Sequence, residues 1–210
     1  MFEFTEGRVA AVATDGRRLA NQESAGTSQN GHLSENSAII PLKALSLIER
    51  GLVSDDETVK IAIKPGKAIF GCGSATLSTS LVEGRFPRWK NIIPEIEGRI
   101  QVDLLAAHFL QAVRQTEIMV SEKQPGIYLN FSAGKLELTA SGAEVGQSKI
   151  ELPISYDAPP QQLKLEPRYL IEFLAGLDAE AVVSLYMKEE QSVLFQTGDG
   201  YYYVVMPLTK

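Results

Sequence analysis

One pattern of secondary structure occurs three times along this chain of 210 residues. Apolar residues at helical spacing predict helices at residues 41–51, 104–120 and 166–177, and each is followed by three segments that are typical of strands. Most of these strands alternate apolar and polar residues, as in Leu136-Glu137-Leu138-Thr139, which indicates antiparallel sheets with one face covered. The repeat predicts an α+β protein of duplicated helix-plus-strand units, with the helices on one face of the sheets.

The segments between the helices complete this prediction. The strands expected after the helices are residues 58–63, 68–72 and 75–82, then 126–132, 135–141 and 147–152, and finally 181–187, 192–197 and 201–206. A hairpin is expected at the start, with strands at residues 2–5 and 8–13 around Gly7. Residues 21–37 are rich in Ser, Asn, Gly and Glu without periodicity, and they predict a surface loop without regular structure.

Composition limits the class of protein. With 44% hydrophobic residues the chain can build a core, and no apolar run approaches the ~18 residues of a membrane-spanning helix. The start, Met1-Phe2-Glu3-Phe4, lacks the basic and apolar parts of a signal peptide, so we expect a cytoplasmic protein. The single cysteine, Cys72, excludes an internal disulfide and predicts a small buried strand residue. A net charge of −6 argues against a protein that grips nucleic acid through many phosphate contacts.

The sequence offers no catalytic or metal-binding pattern. His32 and His108 lie near no serine, cysteine or carboxylate pattern that marks a nucleophile or a metal site. The glycine turns at Gly71-Cys72-Gly73-Ser74 and Gly198-Asp199-Gly200 lead into no phosphate-binding helix. The acidic pairs Asp55-Asp56 and Glu189-Glu190 fall in predicted turns, where solvated charge explains them. We therefore predict no catalytic residues, no metal and no cofactor.

Three separated segments carry a resemblance to a known family. They are Ala13-Thr14-Asp15-Gly16-Arg17-Arg18-Leu19-Ala20, then Arg85-Phe86-Pro87-Arg88-Trp89 with Ile92 close behind, and Tyr203-Val204-Val205-Met206-Pro207-Leu208 at the end. Together they resemble the signature of the bacterial sliding clamp, the beta subunit of DNA polymerase III. Each segment alone is weak, but their order, spacing and terminal placement are specific.

This resemblance implies a hydrophobic pocket that binds a short linear peptide of the partner. The residues that it places there are Thr14, Arg17, Arg18, Leu19, Pro87, Ile92, Val204, Val205, Met206, Pro207 and Leu208. Aliphatic walls, rigid prolines and an adaptable methionine suit a groove that several partners share, and an arginine can donate to backbone carbonyls or pair with a carboxylate. Taken singly, each residue fits ordinary core or an ordinary turn. Arg17 and Asn91 depart from the family pattern, which often has histidine and sometimes a basic residue there.

The resemblance also implies an organisation and partners. Residues 1–87 would be the later part of the middle clamp domain and residues 88–210 the C-terminal domain. The full-length family is a homodimer that encircles double-stranded DNA and docks the DNA polymerase III alpha subunit, the clamp loader and other clamp-binding proteins. Basic residues expected to face DNA are Lys43, Arg50, Arg114 and Arg168, and residues expected at the subunit interface are Ile118 and Met119, with Glu144 and Glu151 near the adjoining strand edge. Solvated helix faces explain the basic residues equally well.

A different class of protein stays open at this point. The terminal strand could simply close the sheet of a β-rich enzyme or small-ligand-binding domain. That alternative predicts an enclosed polar cleft, whereas the clamp interpretation predicts a shallow apolar groove between the two domains and a non-catalytic processivity factor.

Overall fold

The computed structural model describes residues 1–28, 36–52, 58–121, 124–142, 146–189 and 191–208. The candidate residues His32, Asp55, Asp56, Glu144 and Glu190 lie outside these ranges. The chain divides into two compact units, Met1–Ala13 with Gln22–Trp89 and Thr14–Asn21 with Lys90–Lys210. The second unit therefore contains both the segment after the first hairpin and the chain end.

The first unit holds one helix and two groups of antiparallel strands. Its elements are β1 (Phe2–Thr5), β2 (Arg8–Thr14), β3 (Arg18–Ala25), β4 (Asn36–Ala38), α1 (Leu42–Gly51), β5 (Lys60–Lys64), β6 (Lys67–Cys72) and β7 (Ala75–Ser80). The last residue of β2 and the first four residues of β3 are counted with the second unit. Strand β1 pairs with β2 and β4, and β6 pairs with β5 and β7. A 3-10 turn, Trp89–Asn91, follows.

The core of the first unit lies between α1 and the sheet β5–β6–β7. Ala44 of α1 is buried together with Ala68 and Phe70 of β6. Cys72 is also buried, and its thiol lies 3.8 Å from the carbonyl oxygen of Gly51, so the prediction of a small buried strand cysteine is confirmed. Pro65-Gly66 forms the tight turn between β5 and β6, where Gly66 has a φ of 71°, a conformation that glycine adopts without steric cost.

The second unit holds two helices and two sheets. Its elements after the 3-10 turn are β8 (Ile100–Leu105), α2 (Ala106–Glu117), β9 (Ile127–Ser132), β10 (Lys135–Gly142), β11 (Gly146–Pro153), β12 (Gln161–Leu165), α3 (Pro167–Leu174), β13 (Val182–Met187), β14 (Val193–Gln196) and β15 (Tyr201–Val205). Strands β15, β14, β13 and β8 are successive neighbours, with the start of β3 beside β15. Strands β11, β10, β9 and β12 form the other sheet.

Local chemistry explains where the two helices of this unit begin. Helix α2 follows β8 directly and has no capping side chain. The backbone N–H groups of Ala106 and Ala107 donate instead to the carbonyls of Ala181 and Ala179, at 2.9 and 3.3 Å, which satisfies two of the helix's free donors. Helix α3 begins at Pro167, whose missing N–H costs nothing at a first helical position.

One continuous core joins these layers. The fully buried side chains include Phe109 and Val113 of α2, Leu129 and Leu138 of the β9–β12 sheet, and Phe195 of β14. Phe173 of α3 packs on the other sheet through its contacts with the rings of β14 and β15. The predicted fold class, α+β with helices packed on antiparallel sheets, is confirmed.

The threefold repeat is present, and it is longer than the sequence indicated. A strand precedes each helix, so the unit is strand, helix and three strands: β4 before α1, β8 before α2 and β12 before α3. Strands β4 and β12 are short. The alternation of β8 runs into α2, so the predicted start of that helix at residue 104 was wrong by two residues. The predicted loop at 21–37 was wrong for Asn21 to Ala25, which lie in β3, and for Asn36 and Ser37, which lie in β4. Pairing with neighbouring strands overrides the weak strand propensity of these residues.

We expect Phe109→Ala to destabilise the second unit by about 3–5 kcal/mol, because Phe109 is fully buried and its loss leaves a cavity. His108→Ala is the matched control, since His108 is exposed one position earlier on the same helix and its loss should change stability by less than about 0.5 kcal/mol. Urea unfolding followed by circular dichroism measures both variants. Equal stability of the two would contradict the placement of α2 against this core.

Candidate functional site

The segment between β2 and β3 is a turn that side chains hold closed. The Thr14 hydroxyl donates to the carbonyl of Arg18 at 2.6 Å and accepts from the N–H of Gly16 at 3.1 Å. One oxygen of the Asp15 carboxylate accepts from the N–H groups of Arg17 and Arg18, at 3.0 and 3.1 Å. Gly16 has a φ of 87°, which the turn requires and most side chains disfavour. Thr14, Asp15 and Gly16 therefore fix how Arg17 and Arg18 are presented.

The chain end is tied to this turn within the second unit. The N–H of Met206 donates to the carbonyl of Arg17 at 3.0 Å, directly after β15 ends. The N–H of Leu208 donates to the carbonyl of Lys164 in β12 at 2.8 Å. A Cβ at Gly126 would lie 2.5 Å from the Leu208 side chain, so only glycine leaves room for it. Two segments that are remote in sequence thus meet, as the resemblance implies.

Arg18 is the centre of this site. Its Nε donates to the other Asp15 oxygen at 2.9 Å, and its Nη1 lies 2.7 Å from Glu172 of α3 and 3.3 Å from the Tyr203 hydroxyl of β15. The guanidinium also lies 4.3 Å from the centre of the Tyr169 ring, in a cation–π contact. Arg18 therefore joins the turn, helix α3 and strand β15.

Tyr203 helps to hold Arg18 in place. Its hydroxyl donates to the carbonyl of Tyr169 at 3.0 Å, and its ring stacks on Phe173 with 4.6 Å between the ring centres. Burial raises the pKa of Tyr203 to about 12 although the Arg18 charge opposes this, so the hydroxyl stays protonated at neutral pH. The hydroxyl is then available as a donor to Tyr169 and an acceptor from Arg18.

The charges of the turn stabilise one another. Burial alone would lower the pKa of Arg18, but the hydrogen bonds to Tyr203, Glu172 and Asp15 outweigh it and hold that pKa above its usual value. Burial alone would raise the pKa of Asp15, but the bonds from Arg17 and Arg18 hold it below its usual value. Both groups are therefore charged across the physiological range.

The residues predicted to form the peptide pocket differ in exposure. Leu19 of β3 is 1% exposed, and Val204 and Val205 of β15 are buried as well. Met206 is 52% exposed, and Pro207 is half-buried. The remaining predicted residues divide between the units: Thr14, Arg17, Arg18, Ile92 and Leu208 belong to the second unit, and Pro87 belongs to the first. The accessible members in the second unit are thus Arg17, part of Arg18, Ile92, which is 40% exposed, and the segment after β15.

Four residues that contact Arg18 were absent from the predicted pocket: Asp15, Tyr169, Glu172 and Tyr203. Tyr169 and Glu172 lie three positions apart in the helix, so they share a face, and this spacing was the available signal. Tyr203 belongs to the terminal segment that carries the family resemblance, but nothing in the sequence links its hydroxyl to Arg18.

The basic residues proposed to face DNA all lie exposed on helices. Lys43 and Arg50 are on α1, Arg114 is on α2 and Arg168 is on α3. Arg168 lies 3.1 Å from Glu166, so part of its charge is already compensated.

Helices α2 and α3 border a groove of about 310 Å³ that Arg114 lines. The groove is otherwise lined mainly by apolar side chains such as Leu110, Leu174 and Leu177, and it is open to solvent. An enclosed polar cleft, which the enzyme alternative predicts, does not describe it.

The residues proposed for the subunit interface lie at the end of α2 and on β11. Ile118 is 71% exposed, whereas Met119 packs partly against the core. Glu151 of β11 lies 3.0 Å from Lys149 and 3.3 Å from Lys135. The acidic side chain on this strand is therefore paired within the sheet.

In the part of the chain that the structure describes, the residues considered for catalysis are not arranged as an active site. His108 is exposed on α2, and Glu189 is exposed in the turn after β13. Among the described residues no group of three or more His, Cys, Asp or Glu side chains is placed to hold a metal ion. None of the described helices combines the length and the apolar character needed to cross a membrane.

Comparison with known proteins identifies the class of this fold. A DNA polymerase sliding clamp from Pseudomonas aeruginosa superposes with a TM-score of 0.89 at 26% identity, covering 100% of this chain and 57% of that one. A beta sliding clamp of Caulobacter vibrioides is 32% identical over 178 residues, 83% of this chain and 47% of its own. One from Pseudomonas putida is 28% identical over 211 residues, 99% of this chain and 56% of its own. The chain spans about half the length of these relatives.

Family models agree with this class over nearly the whole chain. Residues 1–88 match the central domain of the DNA polymerase III beta subunit, and residues 90–209 match its C-terminal domain. The chain therefore belongs to the DNA polymerase III beta subunit family. An unrelated β-rich enzyme or small-ligand domain is not favoured.

We expect Arg18→Ala to raise the pKa of Asp15, because it removes the guanidinium charge and the Nε–H donor. Arg17→Ala is the control, since it keeps the backbone N–H that Asp15 accepts. Carbon-detected NMR titration of the Asp15 carboxyl measures both. An unchanged Asp15 pKa in Arg18→Ala would contradict the turn geometry.

The sign of the pH effect follows from this shift. The folded pKa of Asp15 lies below the unfolded one, so its contribution to stability is present above the unfolded pKa. That contribution is lost as the pH falls through the folded pKa.

Proposed function

We propose that this chain corresponds to the middle and C-terminal parts of a beta sliding clamp, with residues 1–87 and 88–210 as its two domains. In the complete protein it is a non-catalytic processivity factor of DNA replication. It encircles double-stranded DNA without sequence preference and tethers the polymerase. Its partners are the DNA polymerase III alpha subunit, an ATP-driven clamp loader and other proteins with a clamp-binding peptide, and we place it in the cytoplasm.

One observation carries this proposal. The turn with Arg17 and Arg18 is hydrogen-bonded to the segment that begins at Met206, in a chain whose two halves match the clamp family. Exposed Met206 offers apolar surface, and the partly exposed Arg18 offers donors on the turn to which the backbone of Met206 is bonded. An adaptable thioether next to fixed polar groups suits a peptide site that several partners share.

The charge distribution supports loose contact with DNA. A net charge of −6 is unsuited to tight phosphate binding, while Lys43, Arg50 and Arg114 are exposed basic residues on helices. Contacts of this kind leave a ring free to slide, because no base is read. Arg168 contributes less in this proposal, since Glu166 pairs with it.

We also propose that the end of α2 and strand β11 form a subunit interface in the complete protein. The 71% exposed Ile118 supplies an apolar contact, and Met119 supports it from the edge of the core. The pairing of Glu151 with two lysines leaves less acidic charge for a partner there.

Peptide docking is testable on this chain alone. A labelled peptide of the glutamine-leucine-phenylalanine type should bind saturably in a fluorescence anisotropy titration. Met206→Asp should weaken binding at least about tenfold, which corresponds to roughly 1.4 kcal/mol, because it puts a charge on the exposed apolar surface of the site. Leu19→Asp is a poor probe, since Leu19 is buried and an aspartate there would disturb the fold.

Leu42→Asp is the matched control for Met206→Asp. Leu42 is 78% exposed on α1 in the other unit, and it takes no part in the proposed site. We expect the Leu42→Asp variant to bind the peptide with the same affinity as the unchanged chain. Absence of binding by a folded chain, or equal affinity of Met206→Asp and Leu42→Asp, would refute docking at this cluster.

A further inference from the structure

The arginine at the centre of the site is already bound to two carboxylates of its own chain. Asp15 accepts from Nε at 2.9 Å, and Glu172 accepts from Nη1 at 2.7 Å. The second donor of Nη1 points to the Tyr203 hydroxyl at 3.3 Å. Three of the five N–H donors of the guanidinium are thus used by residues that hold it in place.

The remaining nitrogen of the guanidinium, Nη2, is not used in this way. It makes no hydrogen bond to any residue within the described ranges, and the Arg18 side chain is 24% exposed. Tyr169 covers one face of the guanidinium plane. An incoming acceptor approaches at the edge, because the N–H bonds of a guanidinium lie in its plane. Two N–H donors therefore remain for a ligand, while two carboxylates offset the positive charge.

An arginine can recognise a peptide in two ways, by pairing with a carboxylate or by donating to a neutral oxygen, and these contacts distinguish the two. A carboxylate gains most from an arginine whose charge is uncompensated, since the charge-assisted bond is then strongest. A neutral oxygen needs only a donor at the right place. With Asp15 and Glu172 in contact, a third carboxylate would gain little from Arg18, because the repulsion of the two carboxylates offsets the attraction of the guanidinium.

We propose that Arg18 is a specificity-determining residue that donates from Nη2 to a neutral oxygen of the docked peptide, such as a backbone carbonyl, and that Glu172 is the positioning residue that denies Arg18 to peptide carboxylates. This inference rests on the proposed peptide docking. It narrows the ligand class to peptides that are uncharged where they meet Arg18. Glu172 fits the role because its side chain is 62% exposed and a rigid helix carries it.

Two peptides of the glutamine-leucine-phenylalanine type test this, identical except for an aspartate or an asparagine between the leucine and the phenylalanine. The readout is the ratio of their Kd values, measured by anisotropy at low salt. For the unchanged chain we expect a ratio near one. In Glu172→Gln one compensating carboxylate is lost, and the aspartate peptide should gain about threefold to fivefold over the asparagine peptide.

Two further variants separate this role from a general effect of charge or structure. Glu180→Gln removes one negative charge from an exposed position in the loop after α3, outside the Arg18 contacts, and should keep the ratio of the unchanged chain. Glu172→Asp keeps a carboxylate on α3 and should restore that ratio. A variant that merely loosened the fold would weaken both peptides equally and would not change the ratio.

The outcomes are distinct. A changed ratio in Glu172→Gln alone supports the inference. A strong preference of the unchanged chain for the aspartate peptide, or the same ratio in Glu172→Gln and Glu180→Gln, would overturn it while leaving peptide docking intact. If neither peptide binds the folded, unchanged chain, the proposed docking itself is wrong and the inference falls with it.

Discussion

The site depends on the ion pairs and hydrogen bonds of Arg18. They join residues 185 positions apart in the sequence, because Nη1 reaches the Tyr203 hydroxyl while Nε holds the Asp15 turn. Chain entropy opposes such a junction, since ordering both segments costs conformational freedom. The junction is stabilised because each segment is already shaped: Asp15 and Thr14 close the turn, and Tyr203 is fixed by its stack on Phe173. Arg18 therefore connects two structures that are largely preformed.

This arrangement places the site where regular elements meet. The turn lies between β2 and β3, Glu172 lies on α3, and Met206 follows the last residue of β15. Groups that strands and helices carry are held more accurately than groups on long loops. Gly126 adds to this rigidity, because its missing side chain admits Leu208 and lets the chain end pair with β12 at Lys164. The part of the site that can adapt is thus reduced chiefly to the exposed side chain of Met206, because three hydrogen bonds hold the guanidinium of Arg18.

The sequence predicted the helices and most strands because both follow from periodicity. It did not reveal the strand before each helix, since β4 is three residues long and β8 passes into α2 without a break in its apolar pattern. It also did not predict β3, where Asn21, Gln22 and Glu23 form a strand through their backbone partners. For the site, the segments that carry the family resemblance identified Arg18 and Met206, but not the carboxylate of Glu172, because a contact between distant elements leaves no local pattern. The burial of Leu19 is of the same kind, since exposure depends on the tertiary packing around it.

The fold is built from three similar units, but the site of Arg18 is formed at a single place in it. The three repeats share a strand, a helix and three strands, and that pattern serves the core: apolar residues alternate, and each helix covers a sheet. None of this requires an arginine at the position of Arg18 or an aromatic ring at the position of Tyr203. Function is carried by a site built on a fold that others can share, so side chains outside the repeating pattern are the informative ones. In this chain those side chains converge at the junction of the Asp15 turn, α3 and β15, and their charges are balanced there before any ligand arrives.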